Sequence, residues 1–472
     1  MKLPISFIES TRALMGDEEY QELSVALEQE PPASVRLNSK FPGLAACSSI
    51  SGRIPWAAEG YYLNQRLTFT FDPLFHAGCY YVQEASSMFV EQVLRRYVTT
   101  PVKMLDLCAA PGGKSTHARS VLPEGSLLVA NEVIRNRSQI LAENLTKWGY
   151  ADVVVTNNDP SDFSRIGSFF DVILTDVPCS GEGMFRKDPG AIEEWSPENV
   201  EICWQRQRRI ITDIWPCLKP GGILIYSTCT YNTREDEETS AWIRQEFGAE
   251  PLPLAVPAEW NITGSLLAGA DAPVYRFLPH KTQGEGFFLA ALRKPEEDRE
   301  ADTDLFSPKK KKSKGDTAAS PVSKENLAIA KSWLASSDEY NLLVNGTAIT
   351  AFPVYYQNDL ALLRQSLRIV QAGTEVAEVK GKDLIPAHGL AMSRLLKTSV
   401  FSTEALTYEQ AIAYLRKEAI VLPPSVPKGY VLVTYKEIPL GFVKNIGNRA
   451  NNLYPQEWRI RSGYLPDDIR TL

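Results

Sequence analysis

Two cysteines of this 472-residue sequence sit among small and polar residues just beyond apolar runs. Cys179 lies in Asp176-Val177-Pro178-Cys179-Ser180-Gly181, after Val172-Ile173-Leu174. Cys229 lies in Ser227-Thr228-Cys229-Thr230, after Ile223-Leu224-Ile225. A buried cysteine is ordinarily a small hydrophobe, and Cys47, Cys79, Cys203 and Cys217 take that reading. Cys179 and Cys229 belong instead to loops expected above a sheet, where loops carry function. Two thiols at neighbouring strand ends would face one cleft.

A third stretch supplies a candidate binding cradle. Val102-Lys103-Met104-Leu105-Asp106-Leu107 is a short apolar strand. It runs into the tight loop Cys108-Ala109-Ala110-Pro111-Gly112-Gly113-Lys114-Ser115, and a helix-compatible run continues to Leu122. Strand, glycine turn and helix N-terminus together hold nucleotide-like ligands, because the helix start offers free N–H groups. The dinucleotide pattern G-x-G-x-x-G is absent, and Cys108 stands where a phosphate loop needs its first glycine. S-adenosylmethionine, which carries no phosphate, is the remaining common occupant of such a cradle.

A thiolate beside a methyl donor points to a particular reaction. Carbon 5 of a pyrimidine is too poor a nucleophile to take a methyl cation directly, and a thiolate that adds to carbon 6 makes it enamine-like. A base must then remove the carbon 5 proton, and an acid is needed near ring nitrogen 3, where Asp176 is a candidate. Residue types alone do not rank Cys179 against Cys229 for attack.

The elements that must position these groups alternate from Val102 onward between strand and helix patterns. The spacing predicts strands over 103–107, 126–131, 151–156, 171–175 and 222–227, helices over 134–148, 199–218 and 233–247, and a closing strand at 286–290. Continuous apolar runs such as Val172-Ile173-Leu174 suit parallel strands buried on both faces. Ligands on such sheets bind at the carboxyl ends of the strands, where Cys108, Glu132, Asp159, Asp176 and Cys229 all fall. Glu132 there can accept from ribose hydroxyls, and Asp159 from an adenine amino group.

The length predicts two to four domains. A 44% apolar content is that of a chain with real cores. The net charge of −7 and a pI near 5.5 argue against nucleic acid, but the average conceals an asymmetry. From Ser320 to Leu472 there are 17 Lys+Arg against 14 Asp+Glu, and elsewhere 33 against 43. No C-x-x-C pair occurs and the four histidines are scattered, so zinc is not expected. Seven cysteines without a signal-peptide pattern are expected of a reducing cytoplasm. No stretch approaches a membrane span.

Before the cradle, residues 7–27 read as helix, and 35–38 and 61–63 as strands. Arg36 and Asn38 could touch phosphate, with ordinary solvation at the surface the equal alternative. The stretch 76–87 leads into a helix that runs through Arg96, and its aromatics read as core. Residues 296–322, with Lys309-Lys310-Lys311-Lys312-Ser313-Lys314, read as a charged linker. Beyond it a helix is expected at 324–334 and strands at 349–356, 360–363, 429–435 and 438–444. Lys444, Arg449, Arg459 and Arg461 could grip an RNA backbone.

Residues 108–114, 176–181 and 227–230 resemble, in order, the signature stretches of the Sun/Nop-type RNA (cytosine-5) methyltransferases. Residues 83–87 and 284–288 look like further elements of that family. The resemblance implies an α/β class I S-adenosylmethionine-dependent methyltransferase sheet. It implies that Cys108, Ala109, Ala110, Pro111, Gly112, Gly113 and Lys114 hold S-adenosylmethionine, with Glu132, Arg137, Asp159 and Asp176 as further contacts. It also implies that Cys229 is the nucleophile and that Cys179 assists release of the methylated RNA. Gly441-Phe442-Val443-Lys444, Asn448-Arg449 and Leu453-Tyr454-Pro455 look like the C-terminal PUA-like module of the RsmF-like branch, which acts on ribosomal RNA. His388-Gly389-Leu390-Ala391-Met392-Ser393 fits the intervening domain of that branch. No NusB-like helical domain is evident, which disfavours the RsmB branch.

The implied organisation is an N-terminal α+β RNA-binding (RRM/ferredoxin-like) domain over 1–80 and a Rossmann-like catalytic domain over 81–295. After the linker come an intervening α+β domain over 323–404 and a PUA-like β-rich domain over 405–472. The implied function is formation of 5-methylcytosine in RNA, with small-subunit (16S) ribosomal RNA the expected substrate, by a cytoplasmic monomer without metal or membrane. Three rivals are a transfer-RNA enzyme with the same core, a catalytically idle RNA-binding assembly factor, and a methyltransferase of protein or small molecules. The paired thiols and complete cradle weigh against idleness. The thiols and basic tail weigh against a non-RNA substrate.

Overall fold

The computed structural model describes residues 2–296, 322–466 and 468–472. The expected linker, with its lysine run, therefore lies almost wholly outside the described residues. The expected first helix is two, α1 (Ile5–Met15) and α2 (Asp17–Leu27), meeting at Gly16. Their apolar faces do not cover the sheet that follows them. Phe7, Leu23 and Leu27 pack with Phe185, Trp195 and Tyr231, far along the chain, and Phe7 meets the Phe185 and Trp195 rings edge-on at 5.1 and 5.5 Å.

Strands β1 (Ser34–Leu37), β2 (Ile50–Arg53), β3 (Gly60–Leu63) and β4 (Tyr80–Val82) form an antiparallel sheet of order β2-β3-β1-β4. That is the strand order of a ferredoxin-like sheet. The long helices, however, precede β1 rather than connecting strands, and only the short α3 (Pro73–His76) lies between β3 and β4. β4 ends at Val82, just past the expected boundary at 80. Arg36 and Asn38 are not surface residues, since each is 1% exposed. Arg36 donates to Gln83 and Thr116 and stacks 4.3 Å over Trp148, so it fastens this sheet to the next unit.

The central sheet follows the predicted alternation: α4 (Val90–Tyr97), β5 (Lys103–Asp106), α5 (Gly113–Val121), β6 (Leu127–Asn131), α6 (Arg135–Trp148), β7 (Val153–Thr156), β8 (Phe170–Asp176), α7 (Pro189–Glu194), α8 (Pro197–Ile214), β9 (Leu218–Thr228), α9 (Glu237–Phe247), β10 (Glu250–Pro251), β11 (Tyr275–Phe277) and β12 (Phe287–Arg293). β9, β8, β5, β6 and β7 run parallel in that order, with β12 antiparallel on β9. Side chains on both faces are covered by two separate cores, as the unbroken apolar runs require. The chain turns from β5 to β6 on one side and later to β8 on the other. This reversal of strand order opens a crevice at the carboxyl ends of β5 and β8.

Three additions to this sheet are not apparent in the sequence. β10 and β11 both pair with β12, and at the opposite edge β15 joins β7 antiparallel from well beyond residue 322. The later region continues α10 (Lys324–Ser332), β13 (Tyr340–Asn345), β14 (Ala348–Pro353), α11 (Gln357–Ser366), β15 (Ile369–Ala372), β16 (Thr374–Lys380), β17 (Asp383–Pro386) and α12 (His388–Met392). Residues 360–363, expected as a strand, belong to α11. Leu360 and Leu363 are buried at i and i+3 on one face of the helix, and Leu367, just past its end, is buried with them. β13-β14-β16-β17 form a sheet of their own. The last unit holds β18 (Ser402–Ala405), α13 (Tyr408–Leu415), β19 (Gly429–Tyr435), β20 (Ile438–Asn445) and β21 (Ala450–Asn452), with its sheet ordered β18-β19-β20-β21. First and last sheets share one core, in which Val35, Tyr61 and Leu74 pack with Tyr414, Leu440 and Tyr454. Among the described residues no helix is long and apolar enough to cross a membrane.

Candidate active site

The strand β5 ends at Asp106, and the chain then turns through residues 107–112 into α5. Gly112 makes the turn at φ +115°, which side chains rarely tolerate, and a Cβ there would stand 3.3 Å from Leu141 Cδ1. The loop walls a cleft of about 140 Å³, lined by Tyr81, Glu84, Cys108, Pro111, Lys114 and Asp176 among others. Cradle and Asp176 therefore share one opening. The wall contributed by β4, with Tyr81, was not read from the sequence as part of the site, because nothing in Tyr-Tyr-Val distinguishes a wall from a core strand. Three larger hollows, of about 900, 920 and 440 Å³, open elsewhere, and none is lined by a cysteine.

Asp106 is fully buried. Its Oδ2 accepts from Ser115 Oγ at 2.6 Å while Oδ1 has no partner, and burial pushes its pKa up to about 7. Glu132, at the end of β6, accepts from the Ile134 N–H at 2.9 Å and stands 3.4 Å from Arg137. Arg137 donates to the Ala110 carbonyl at 2.8 Å, so it holds the loop from behind. Asp159 follows β7 and caps the short turn Pro160–Ile166 by accepting from Ser161 N and Oγ. Burial pushes the Asp159 carboxyl up, but those bonds outweigh it and hold it below the usual carboxylate range. The donor set is the glycine cradle with Asp106, Glu132 and Asp176 about Cys108 and an orphaned Asp106 oxygen, while Asp159 is engaged by its own turn. The set fits a ligand bearing an amino group and ribose hydroxyls, such as S-adenosylmethionine, better than one bearing phosphates.

Asp176 ends β8. Its Oδ1 accepts from Ser227 Oγ at 2.8 Å, and its Oδ2 from Lys114 Nζ at 2.7 Å. Burial pushes the Lys114 ammonium down, but Asp176 outweighs that and the net is upward, so Lys114 stays charged. Beside this pair the two thiols meet: Cys179 Sγ and Cys229 Sγ are 3.2 Å apart, and the Cys229 N–H donates to Cys179 Sγ at 3.4 Å. Both residues are partly exposed, as is Cys108. The hydrogen bond with Cys229 and then burial push the Cys179 thiol well up, so Cys179 keeps its proton. Cys79, Cys203 and Cys217 are buried as expected; Cys47 is only half-covered, at the margin of the core shared by the first and last sheets.

Close backbone packing fixes the two cysteine loops. The Gly183 N–H donates to the Cys229 carbonyl at 2.8 Å. A Cβ on Gly183 would meet Gly286 O at 2.7 Å and Cys229 O at 2.8 Å, so only glycine fits. Glu182 accepts from the N–H groups of Tyr231 and Asn232 at 2.7 and 2.9 Å. Arg276 pairs with Asp236 at 3.0 Å and donates to Glu237 at 2.7 Å. One carboxylate joins the two outlying stretches: Glu84 accepts from Ser86 N, Ser87 N and Glu285 N, each at 2.8 Å.

Comparison with known proteins bears on this geometry. The profile of the family described as 16S rRNA methyltransferase RsmB/F matches residues 99–293. Those of the N-terminal domain of 16S rRNA methyltransferase RsmF and of the methyltransferase RsmF PUA domain match residues 3–85 and 402–460. The chain is 31% identical over 433 residues to ribosomal RNA small subunit methyltransferase F of Shigella boydii serotype 4, covering 87% of this chain and 85% of that one. A solved methyltransferase homolog from Pyrococcus horikoshii is 28% identical, with a TM-score of 0.52 over 61% of this chain and 94% of its own. NSun6 from Pyrococcus horikoshii with SFG, at 22% identity, shares the fold with a TM-score of 0.52 over 62% of this chain and 98% of its own.

Proposed function

The chain belongs to the RsmB/F family of 16S rRNA methyltransferases, and from that membership we propose that it forms 5-methylcytosine in small-subunit ribosomal RNA, in the cytoplasm, through a covalent bond between Cys229 and the base. One observation carries the reading: two thiols 3.2 Å apart at the ends of adjacent strands, beside Asp176 and one strand away from the cradle.

S-adenosylmethionine, held by residues 108–114 with Glu132, Asp159 and Asp176, supplies an electrophilic methyl group. The target cytosine leaves its stack to reach a cleft of this kind. The Cys229 sulfur adds to carbon 6 as its proton passes by way of the Asp176 carboxylate, held by Lys114 and Ser227, to ring nitrogen 3, which takes up the electron density displaced from the ring. Carbon 5 then takes the methyl group. Once Cys229 is bonded to carbon 6 it no longer holds up the Cys179 thiol, which gives its proton to solvent and as the thiolate takes the carbon 5 proton; the freed electron pair re-forms the 5,6 double bond, the carbon 6–sulfur bond breaks, and Cys229 leaves as the thiolate. Arg137 acts on this chemistry by holding the Ala110 carbonyl. The last unit, which carries the PUA match, contributes Lys444, Arg449, Arg459 and Arg461 for RNA backbone contact.

Bisulfite sequencing of RNA from cells with and without this protein tests the reading. At least one small-subunit cytosine that resists conversion becomes convertible when the protein is absent. A mark lost from transfer RNA alone assigns the enzyme to that substrate, and no lost mark in any RNA rejects cytosine-5 chemistry.

A further inference from the structure

Cys179 has a hydroxyl-bearing neighbour whose main chain is gripped from an unexpected direction. Glu235 is fully buried beneath the two cysteine loops. Its Oε2 accepts from the Ser180 N–H at 3.0 Å and from Gln207 Nε2 at 2.7 Å. Its Oε1 accepts from Ser180 Oγ and, at 2.9 Å, from Asn232 Nδ2. Gln207, on α8, donates to the Pro178 carbonyl at 3.1 Å as well. The residues on both sides of Cys179 are thus held by one Glu235–Gln207 pair, Pro178 through its carbonyl and Ser180 through its amide. The Tyr226 hydroxyl, on β9, lies 2.6 Å from the Glu235 carbonyl and 3.1 Å from Gln207 Oε1, tying the pair to the strand that ends at Cys229.

We propose that Glu235 is a positioning residue for the release step, holding the Cys179 sulfur where it can take the carbon 5 proton. This rests on the assignment of Cys179 to release made above. Four donors converge on a carboxylate with no solvent to replace them, so the loop has no equivalent resting place if the acceptor is lost. Burial pushes the Glu235 carboxyl up to about 7. Glu235 touches neither base nor methyl donor. It acts only through the loop it holds, by the Ser180 amide and hydroxyl and, with Gln207, by the Pro178 carbonyl.

The test is Glu235→Gln in the full chain, assayed with small-subunit RNA and S-adenosylmethionine beside Cys179→Ala. The amide presents one acceptor oxygen and two donors to a site made of donors. The expected result is a kcat lowered at least tenfold, KM for RNA and for S-adenosylmethionine within about twofold of the parent, and a covalent RNA–protein band on denaturing gels during turnover. A purely structural role would instead lower attack and release together and leave no band. Parental kcat, or lowered kcat without a band while Cys179→Ala shows one, overturns the positioning role alone. Absence of the band in both variants, with methyl transfer retained by Cys179→Ala, overturns the assignment of Cys179 on which it rests. Should Glu235→Gln fail to fold, Ser180→Ala removes one of the four bonds from the same carboxylate. A smaller band in that variant supports the proposal, and none rejects it.

Discussion

At the residue scale the proposed chemistry rests on a division of labour between two sulfurs in hydrogen-bond contact. Cys179 keeps its proton, pushed up by its bond to Cys229 and by burial, and two sulfurs this close do not ionise together without cost. Cys229→Ala should abolish methyl transfer to cytosine, lowering the rate at least a thousandfold; retained turnover, measured as transfer of labelled methyl, would remove it as nucleophile. Asp176→Asn keeps shape but loses the ion pair with Lys114. Turnover should fall at least a hundredfold with affinity for S-adenosylmethionine changed less, and calorimetric titration beside the rate separates the two. Three motifs in order made this site legible in the sequence, because thiols, glycines and acids at strand ends are rare outside ligand clefts. The braces were not legible. Glu84, Glu182, Glu235 and Arg276 are ordinary charged residues until the fold shows Glu182, Glu235 and Arg276 buried and Glu84 taking three main-chain N–H groups. Arg36 misled for the same reason, being a charged residue whose burial and stacking on Trp148 no local pattern signals.

At the scale of elements, what the parallel sheet needs is written in unbroken apolar runs, so β5 to β9 were found within a few residues. β15 was missed because its partner strand β7 lies more than 200 residues earlier, and an edge strand of four residues has no period of its own. α11 was mistaken for a strand because Leu360 to Leu363 is too short an apolar run to show its stripe. Packing at Gly183 yields a sharp expectation. Gly183→Ala drives a methyl against two carbonyl oxygens, so stability should fall by about 1–3 kcal/mol and methyl transfer at least tenfold. A parental melting temperature and rate would show that the two loops can slide apart freely. Leu363→Ala, in α11 against the central sheet, should cost about 2–5 kcal/mol while leaving kcat near parental, as measured by denaturant unfolding and steady-state assay.

Over the whole molecule the ends of the chain are fastened to each other. The Leu472 N–H donates to Asp72 at 2.8 Å, the Thr68 N–H to the Arg470 carbonyl at 2.8 Å, and first and last sheets bury one core. His388 lies at this junction, its ring 5.0 Å from that of Tyr454 and 5.2 Å from that of Trp458, with both ring nitrogens buried and unpartnered. Burial and then Lys147 push it down to about 3. The folded chain therefore keeps the ring neutral where the unfolded chain takes up a proton, below about 6.5, so acid weakens the fold progressively from there to about pH 3. Asp106 and Glu235, held up near 7 by burial, work in the opposite sense, losing stability as pH rises from about 4 to 7. His388→Gln removes one acid-sensitive group, so the stability gap between parent and variant should shift in favour of the variant by up to about 1.4 kcal/mol per pH unit between 6.5 and 4.5. Parallel curves would show that His388 is protonated in the folded chain. None of this was legible in the sequence, because four scattered histidines carry no sign of which will meet.

The central claim is a transient bond from sulfur 229 to a cytosine ring, and the most direct measurement is mass spectrometry of the nuclease- and protease-digested adduct from Cys179→Ala incubated with small-subunit RNA and S-adenosylmethionine. The account predicts a peptide containing Cys229 that carries a methylated cytidine mass. A nucleotide mass on any other residue, or no adduct while methylated RNA accumulates at the parental rate, would contradict it.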